Sequence, residues 1–332
     1  MLAWAAWTSE RGTFVKLVKA FEKEFGIQVK SSRGSTTDQV ERVLAERRAG
    51  VYTMDLVIGG GGTFTKSLLP SGVLAPLKPL LFHPEVAPDS LWKAGRHLYM
   101  DPGQQYVLII GARNAPVGIS INTKLIRPGE IKSFGDLLNP KWRGRIVAYH
   151  PIATRQEVTY GQVYYDKKAE PEFLRRLFSE AKLNYVTTVR EFSEGLAGGA
   201  HAIGFLEGAA QREIREMKRE GLPVSLFFSQ DIGRDVAVAN PSGSIMGVFG
   251  KAPHPNALKL FVNWLLTREV QQQFNRVDGD YESLRADVSN DSVVPELRLP
   301  KNFYIPEADP EFPEKELQAN NFVRKLVVEL GL

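Results

Sequence analysis

Arg33 and Arg155 combine reactive chemistry with telling placement: each comes just after a predicted strand, in a loop or the first turn beyond it. A planar guanidinium there can grip a carboxylate or a phosphate through two parallel hydrogen bonds. Gly59-Gly60-Gly61-Gly62-Thr63 also follows a strand. Bare backbone N–H groups at the start of a helix favour negative charge, so this run is a second candidate anion site. It is not a Walker loop, because Lys66-Ser67 lacks a preceding glycine at the required place, and Phe64 stands where the dinucleotide fingerprint needs its third glycine. The competing readings are structural: a flexible turn that lets strand and helix pack closely, and two solvated surface charges.

Most other chemistries lack their residues. There is no HExxH and no acidic calcium loop, and the nearest approach to a nucleophile elbow, Gly118-Ile119-Ser120-Ile121-Asn122, lacks the closing glycine. His83, His97, His150, His201 and His254 are scattered with no pair one helical turn apart, so a zinc site is not expected. His83 and His254 precede prolines and read as loop residues; His150 also precedes a proline but follows a predicted strand, which makes it a weak site candidate. Tyr164-Tyr165 is different, because adjacent phenolates are hard-oxygen ligands for ferric iron. Its competing reading places one ring in the core and the other in solvent. The absence of cysteine removes disulfides, thiolate nucleophiles, thiolate metal sites and iron–sulfur clusters, and with them any lipid-anchoring cysteine.

The elements that must position these groups are legible from periodicity. Leu2 to Trp7 reads as a buried strand; Phe14, Leu17, Val18, Phe21 and Phe25 recur at helical spacing until Gly26; Ile27 to Lys30 is a second strand. Ser35, Thr36 and Thr37 supply N-cap candidates for a helix ending near Gly50, and Met54 to Ile58 is a third strand. This β-α-β-α-β order implies parallel strands joined by right-handed crossovers. Parallel strands put their carboxyl ends on one edge, where open α/β sheets bind ligands. Thr8 to Arg11, Ser31 to Ser35 and Gly59 to Thr63 are therefore expected to converge.

A second α/β layer comes later in the chain. Arg145 to Tyr149, Tyr185 to Thr188, His201 to Leu206 and Val224 to Phe228 read as strands, with helices from about Ala153, around Phe173 to Phe178, and over Val189 to Leu196 and Glu207 to Arg219. Tyr106 to Asn122, broken by Pro116, and Ser244 to Gly250 look like segments passing between two lobes. The chain ends in a proline-punctuated tract and a helix carrying Phe322, Val323, Leu326, Val327 and Leu330.

Composition agrees with this organisation. At 332 residues, 43% hydrophobic and 24% charged, the chain is long enough for two folded lobes, each with its own core. Lys and Arg total 42 against 38 Asp and Glu, and the basic residues form no block, so nucleic acid is not an expected partner. No apolar run approaches the length of a membrane span, and Leu2 to Trp7 is too short for a signal-peptide core.

With its lobes laid out, the chain resembles the extracellular solute-binding proteins of ABC importers, in the class that includes ferric-ion-binding proteins. The resemblance is carried by Phe21-Glu22-Lys23-Glu24-Phe25-Gly26-Ile27, by Leu44 to Gly50 leading to Asp55-Leu56-Val57, by Ser133 to Ile146, by Ala252 to Ala257 before Phe261 to Leu265, and by Arg285-Ala286-Asp287-Val288. It implies a periplasmic binding protein type II-like fold, with two α/β lobes, a two-strand hinge and a ligand cleft between them. The expected lobes are 1–114 with 247–280 and 115–246 with 281–332. It also implies a periplasmic, non-enzymatic protein that hands its ligand to ABC permease subunits, with no cofactor, as a monomer whose export signal is not present in this chain. Ferric-binding members carry adjacent tyrosines at the start of the helix after the strand equivalent to His201 to Leu206, whereas Glu207-Gly208-Ala209-Ala210 stands here.

The expected ligand is therefore a small organic anion: a carboxylate, phosphonate or sugar phosphate. Thr8, Ser9, Arg33, Gly34, Ser35, Gly60, Gly61 and Thr63 would wall the first lobe, and Thr154, Arg155 and Glu207 the second, with Tyr106 near the hinge. Glu207 reads either as a contact for a ligand amine or, preferably, as a cap of its helix. The alternative within the family is a ferric or other metal carrier using Glu10, Tyr164, Tyr165 and an exogenous anion. The rival from another class, an enzyme on the same bilobal fold, lacks a paired nucleophile and base.

Overall fold

The computed structural model of the chain describes residues 2–6, 12–32, 36–127, 129–152 and 171–332. Its strands are β1 Leu2–Ala6, β2 Val29–Ser32, β3 Leu56–Gly59, β4 Leu74–Ala75, β5 Leu98–Tyr99, β6 Val107–Ile109, β7 Gly111–Asn114 and β8 Ile119–Asn122. They continue as β9 Ile146–Tyr149, β10 Asn184–Val186, β11 Ile203–Phe205, β12 Val224–Leu226, β13 Ala237–Asn240, β14 Ile245–Phe249, β15 Glu282–Ser283 and β16 Phe303–Tyr304. The longer helices are α1 Gly12–Phe25, α2 Thr36–Arg48, α3 Pro171–Glu180, α4 Val189–Ala197, α5 Gln211–Arg219, α6 Pro255–Leu265, α7 Arg268–Asp278 and α8 Phe312–Leu330. No helix among the described residues is long and apolar enough to cross a membrane.

Two compact units result: Met1–Asn114 with Ala239–Glu311, and Ala115–Val238 with Phe312–Leu332. In the first, α1 buries Phe14, Leu17, Val18 and Phe21 along one helical face. Gly26 stops it with φ +66°, a left-handed backbone that glycine adopts without a Cβ clash. β1 pairs in parallel with β2 and β3, as the β-α-β-α-β pattern requires. The complete sheet runs β2-β1-β3-β14-β6-β5, with β4 on β14. β14 is antiparallel to both of its neighbours β3 and β6.

The second unit is a five-stranded sheet, β10-β9-β11-β8-β12. β9 is parallel to β10 and β11, while β8 is antiparallel to β11 and β12. Phe134, Phe173 and Phe205 meet in its core, and α8 adds Val323, Leu326 and Val327.

Two expectations are corrected. Ser244 to Gly250 does not pass between units: as β14 it lies inside the first sheet. The chain instead passes at Asn114/Ala115 and Val238/Ala239, where β7 and β13 pair antiparallel. The returning segment is also longer than 247–280, because Tyr281, Leu284, Leu299 and Ile305 are buried in the first unit's core, so that 281–311 belongs there and only α8 returns to the second. The helix expected from about Ala153 lies outside the described residues.

Phe21 ties α1 to the returning segment, with ring centroids 5.0 Å from Phe261 and 5.1 Å from Trp264 on α6. Phe21→Ala is expected to lower the unfolding free energy by about 3–5 kcal/mol, read by urea denaturation, because the cavity opens at a fully buried position. A loss below about 1 kcal/mol would mean that the aromatic cluster is not what holds α1.

Candidate functional site

In the first unit the carboxyl ends of β1, β2 and β3 form one edge. Thr8, Ser9 and Glu10 after β1, and Arg33, Gly34 and Ser35 after β2, lie outside the described residues. The third loop is described. Gly60 is extended, with φ −86° and ψ 154°, and helical turns begin at Gly61–Thr63 and run on through Phe64–Leu68. Thr63 donates its N–H to the Gly60 carbonyl at 3.2 Å, closing the first turn. The glycines do different jobs. A Cβ on Gly61 would come within 2.9 Å of Met100 Cε, so that position is bare for packing, whereas Gly62 has nothing within 4 Å of its absent Cβ.

The antiparallel insertion of β14 adds a loop to this edge that the sequence alone did not point to. Ile245 pairs with Gly59, so residues 240–244 arrive beside the glycine run. Ser242 Oγ lies 3.6 Å from where a Gly60 Cβ would be, and Ser242 donates its N–H to Asn240 Oδ1 at 2.7 Å. The Asn240-Pro241-Ser242-Gly243 turn was visible in the sequence, but its neighbour was not.

Tyr106 is not part of this edge. β6 is antiparallel to β14, which is antiparallel to β3, so β6 runs in the same direction as β3. Tyr106 immediately precedes β6 and therefore sits at the opposite, amino edge. There Asp101 Oδ1 accepts the N–H groups of Tyr106 and Val107, and Oδ2 that of Gln105, each at 2.9 Å. The open depression lined by Lys78, Pro79, Pro102, Gly103, Gln104 and Gln105 is on this far side as well.

In the second unit β9, β10 and β11 end together, and Thr154, Arg155, Tyr164 and Tyr165 lie outside the described residues. After β10, Thr188 and Glu191 form a capping box that opens α4: Thr188 Oγ1 accepts from Glu191 N–H, and the carboxylate accepts from Thr187 and Thr188. Those bonds hold the Glu191 carboxyl below its ordinary range. At the end of β9, Tyr149 stacks on Phe192 with ring centroids 5.0 Å apart. Burial, with the negative charge of Glu213 and Glu207 nearby, pushes its hydroxyl up to about 12. His150 Nδ1 accepts from Ile152 N–H at 3.3 Å, and its ring is 5.4 Å from that of Tyr185.

β11 ends in a strained turn. Leu206 has φ 52°, left-handed for a residue with a branched side chain, which costs about 1–3 kcal/mol. Its N–H donates to the Gly118 carbonyl at 2.7 Å. Gly118 itself has φ +82°, and a Cβ there would stand 2.5 Å from Leu206 Cδ2. Beyond this turn Glu207 is fully buried. Oε1 accepts one long bond of 3.3 Å from Gln211 Nε2, and Oε2 has no hydrogen-bond partner. The cap expected of Glu207 is absent, since its side chain makes no bond to the turn Gly208–Ala210 that it precedes. Burial pushes its carboxyl up to about 7. Protonated, such a group donates a hydrogen bond; ionised, it is a hard oxygen ligand.

Of the expected site residues, Gly60, Gly61 and Thr63 share the first unit's edge and Glu207 stands on the second unit's. Among the described residues no cluster of three or more His, Asp or Glu could hold a metal ion. Tyr149 and Ser242 are additions made by the sheets.

The family described as bacterial extracellular solute-binding protein matches residues 16–297. Similar solved structures include a Trichodesmium protein (IdiA, FutA) in complex with iron and citrate, at 15% identity and TM-score 0.70, covering 98% of each chain. The ferric binding protein of Campylobacter jejuni matches at 15% identity and TM-score 0.68, covering 98% of this chain and 99% of its own. Iron-bound HitA from Pseudomonas aeruginosa matches at 19% identity and TM-score 0.62, covering 100% of this chain and 99% of its own. At these identities the likeness is one of fold.

Two outcomes are expected at the end of β11. Gly118→Ala forces a Cβ into Leu206 at a left-handed backbone, so it is expected to cost at least about 2 kcal/mol of stability by urea denaturation; a neutral effect would place the Leu206 side chain elsewhere. Glu207 binds its proton more tightly folded than unfolded, so its contribution is fully present below about pH 4.5 and is lost as pH rises through about 7. Over that window the advantage of wild type relative to Glu207→Gln should fall by about 3 kcal/mol. A difference between the two proteins that does not change with pH would place the carboxyl in water.

Proposed function

The chain belongs to the bacterial extracellular solute-binding protein family, and from that premise we propose that it captures ferric iron together with a small anion and delivers them to the membrane permease of an ABC importer. It is a binding protein of an ABC transporter and not an enzyme. The observation that carries the cargo assignment is that structures similar over nearly the whole chain are described as ferric- or iron-binding, one of them holding iron and citrate together.

The donor chemistry supports it. A chain without cysteine offers oxygen ligands to a hard cation, and Glu10, Tyr164 and Tyr165 are the phenolate and carboxylate donors proposed for the metal. Arg33 and Arg155 then hold the carboxylates of the accompanying anion, with Thr8, Ser9, Gly34, Ser35, Gly60, Gly61, Thr63 and Thr154 offering hydroxyls and backbone N–H groups. In this arrangement the arginines serve the counter-anion, where the sequence alone assigned them the whole ligand. The protein works in the periplasm as a monomer.

A second reading, an organic anion without metal, is favoured by one specific observation: Glu207-Gly208-Ala209-Ala210 carries no tyrosine where ferric-binding members carry a pair. One experiment separates the two. Ferric citrate is expected to produce a visible tyrosinate-to-iron band that disappears in Tyr164→Phe/Tyr165→Phe, and to raise stability by about 2.7 kcal/mol at 100 times the dissociation constant. Citrate, phosphonates or sugar phosphates that raise the melting point by themselves, with no band on adding iron, would select the metal-free anion.

A further inference from the structure

The second unit's sheet has a far edge, away from its parallel carboxyl ends, and positive charge gathers there. β9, β10, β11 and β12 begin on that edge, and β8 ends on it. Backbone hydrogen bonds fix which residues are neighbours: Gly144 N–H donates to the Ala181 carbonyl at 2.8 Å, Ala202 N–H to that of Arg145 at 2.9 Å, Asn122 N–H to that of Ala202 at 2.9 Å and Thr123 N–H to that of Pro223 at 2.8 Å. In the strand order β10-β9-β11-β8-β12 the edge therefore carries Lys182, then Arg143 and Arg145, then Lys124 with Leu125, and last Leu222. At about 4.8 Å between strands, the row spans roughly 19 Å.

Lys124, Arg143, Arg145 and Lys182 are all exposed, and none of them is in an ion pair among the described residues. The neighbouring acids are engaged elsewhere: Glu180 pairs with Arg176, and Glu130 with Lys141. Glu220, just past α5, directly follows the basic Lys218 and Arg219. Two apolar side chains share the row, Leu125 at 37% and Leu222 at 36% relative exposure. Leu125 Cδ1 lies 3.6 Å from where a Gly199 Cβ would stand, which sets its side chain along the edge, beside the turn that leads into β11.

We propose that this edge is a membrane-contact surface that rests on an anionic phospholipid bilayer, with the lysines and arginines on headgroup phosphates and the two leucines at the boundary with the acyl chains. An acidic soluble partner would be met by the cations alone. Leucines exposed among unpaired cations fit an interface that is anionic at its surface and apolar just beneath. Lysine and arginine also suit that depth gradient, because their stems can lie in the apolar layer while the charge stays at the headgroups. No helix among the described residues crosses a membrane, so the contact is peripheral. It keeps the protein in the plane where the permease lies, and it holds whichever cargo the ligand edge takes.

The test is cosedimentation of the full chain with vesicles of mixed phosphatidylglycerol and phosphatidylcholine, and with vesicles of phosphatidylcholine alone, at physiological ionic strength. Wild type is expected to bind the anionic vesicles, more weakly as salt is raised, and not the neutral ones. Arg143→Gln/Arg145→Gln/Lys182→Gln is expected to lose affinity on the order of 100-fold. Lys16→Gln/Lys19→Gln/Lys23→Gln removes the same net charge from the exposed face of α1 and is expected to lose less than about threefold. Leu125→Ser/Leu222→Ser is expected to bind the anionic vesicles at least about threefold more weakly, while its binding to soluble polyglutamate matches that of wild type. Wild type that ignores anionic vesicles, equal losses in the two charge variants, or wild-type vesicle binding by the leucine variant each overturns the inference. Should the leucine variant not fold, Leu222→Trp decides: tryptophan emission that moves no further to the blue than that of wild type on adding anionic vesicles overturns it.

Discussion

β14 occupies the middle of the first unit's sheet, between β3 and β6, and most of that unit depends on it. The chain leaves after β7, builds the second unit's sheet, and only then supplies the strand that joins β3 to β6. The first sheet therefore cannot close until residues more than a hundred positions downstream have been made, a contact of high sequence separation that is slow to form. Gly247 at its centre is bare because Phe64 and Leu74 fill the space a side chain would take. The same strand delivers the 240–244 loop to the edge where Gly59 ends β3, and leads into the helix that brings Phe261 and Trp264 to Phe21.

Arg285 secures the segment beyond α7. Its guanidinium, fully buried, donates to both carboxylate oxygens of Asp287 at 2.8 Å and to the carbonyls of Glu85 and Leu266, and lies over the Trp92 ring. Nearby, the buried Glu282 pairs with Lys93 and accepts from Leu299 N–H and Asn290. Truncating one partner of such a pair leaves an uncompensated buried charge, typically at a cost of about 3–5 kcal/mol. These polar clasps act together with the buried Tyr281, Leu284, Leu299 and Ile305 to keep 281–311 with the first unit.

The second unit reaches a ligand edge by the same rule, with three strands running in parallel and ending together, but it finishes differently. The first unit's glycine run presents backbone and little side chain. The second unit's edge presents Tyr149 and a carboxyl held behind a strained turn.

Much of the fold was legible in residue spacing. Phe14, Leu17, Val18 and Phe21 marked α1, Gly26 marked its end, and the alternation of periods marked β1, β2 and β3 as parallel, because local spacing reports which face of an element is buried. Strand partnership is not encoded that way. Ser244 to Gly250 and Ala237 to Asn240 are both short and partly apolar, and nothing in either says which one completes the first unit's large sheet and which one crosses between units. The edge on which Tyr106 lies was not legible for the same reason, since it depends on two successive antiparallel pairings. Glu207 read as a helix cap because it precedes a helix; only the sheet beneath it and the left-handed Leu206 decided that its carboxyl is buried, with Oε1 bonded to Gln211 and Oε2 unpartnered. The elements, the parallel edges and the family were set by the order and spacing of residues, which local periodicity reports directly. Which strand fills the first sheet, which loops share an edge and which acid is buried were settled by tertiary pairing, because each depends on groups brought together from distant positions.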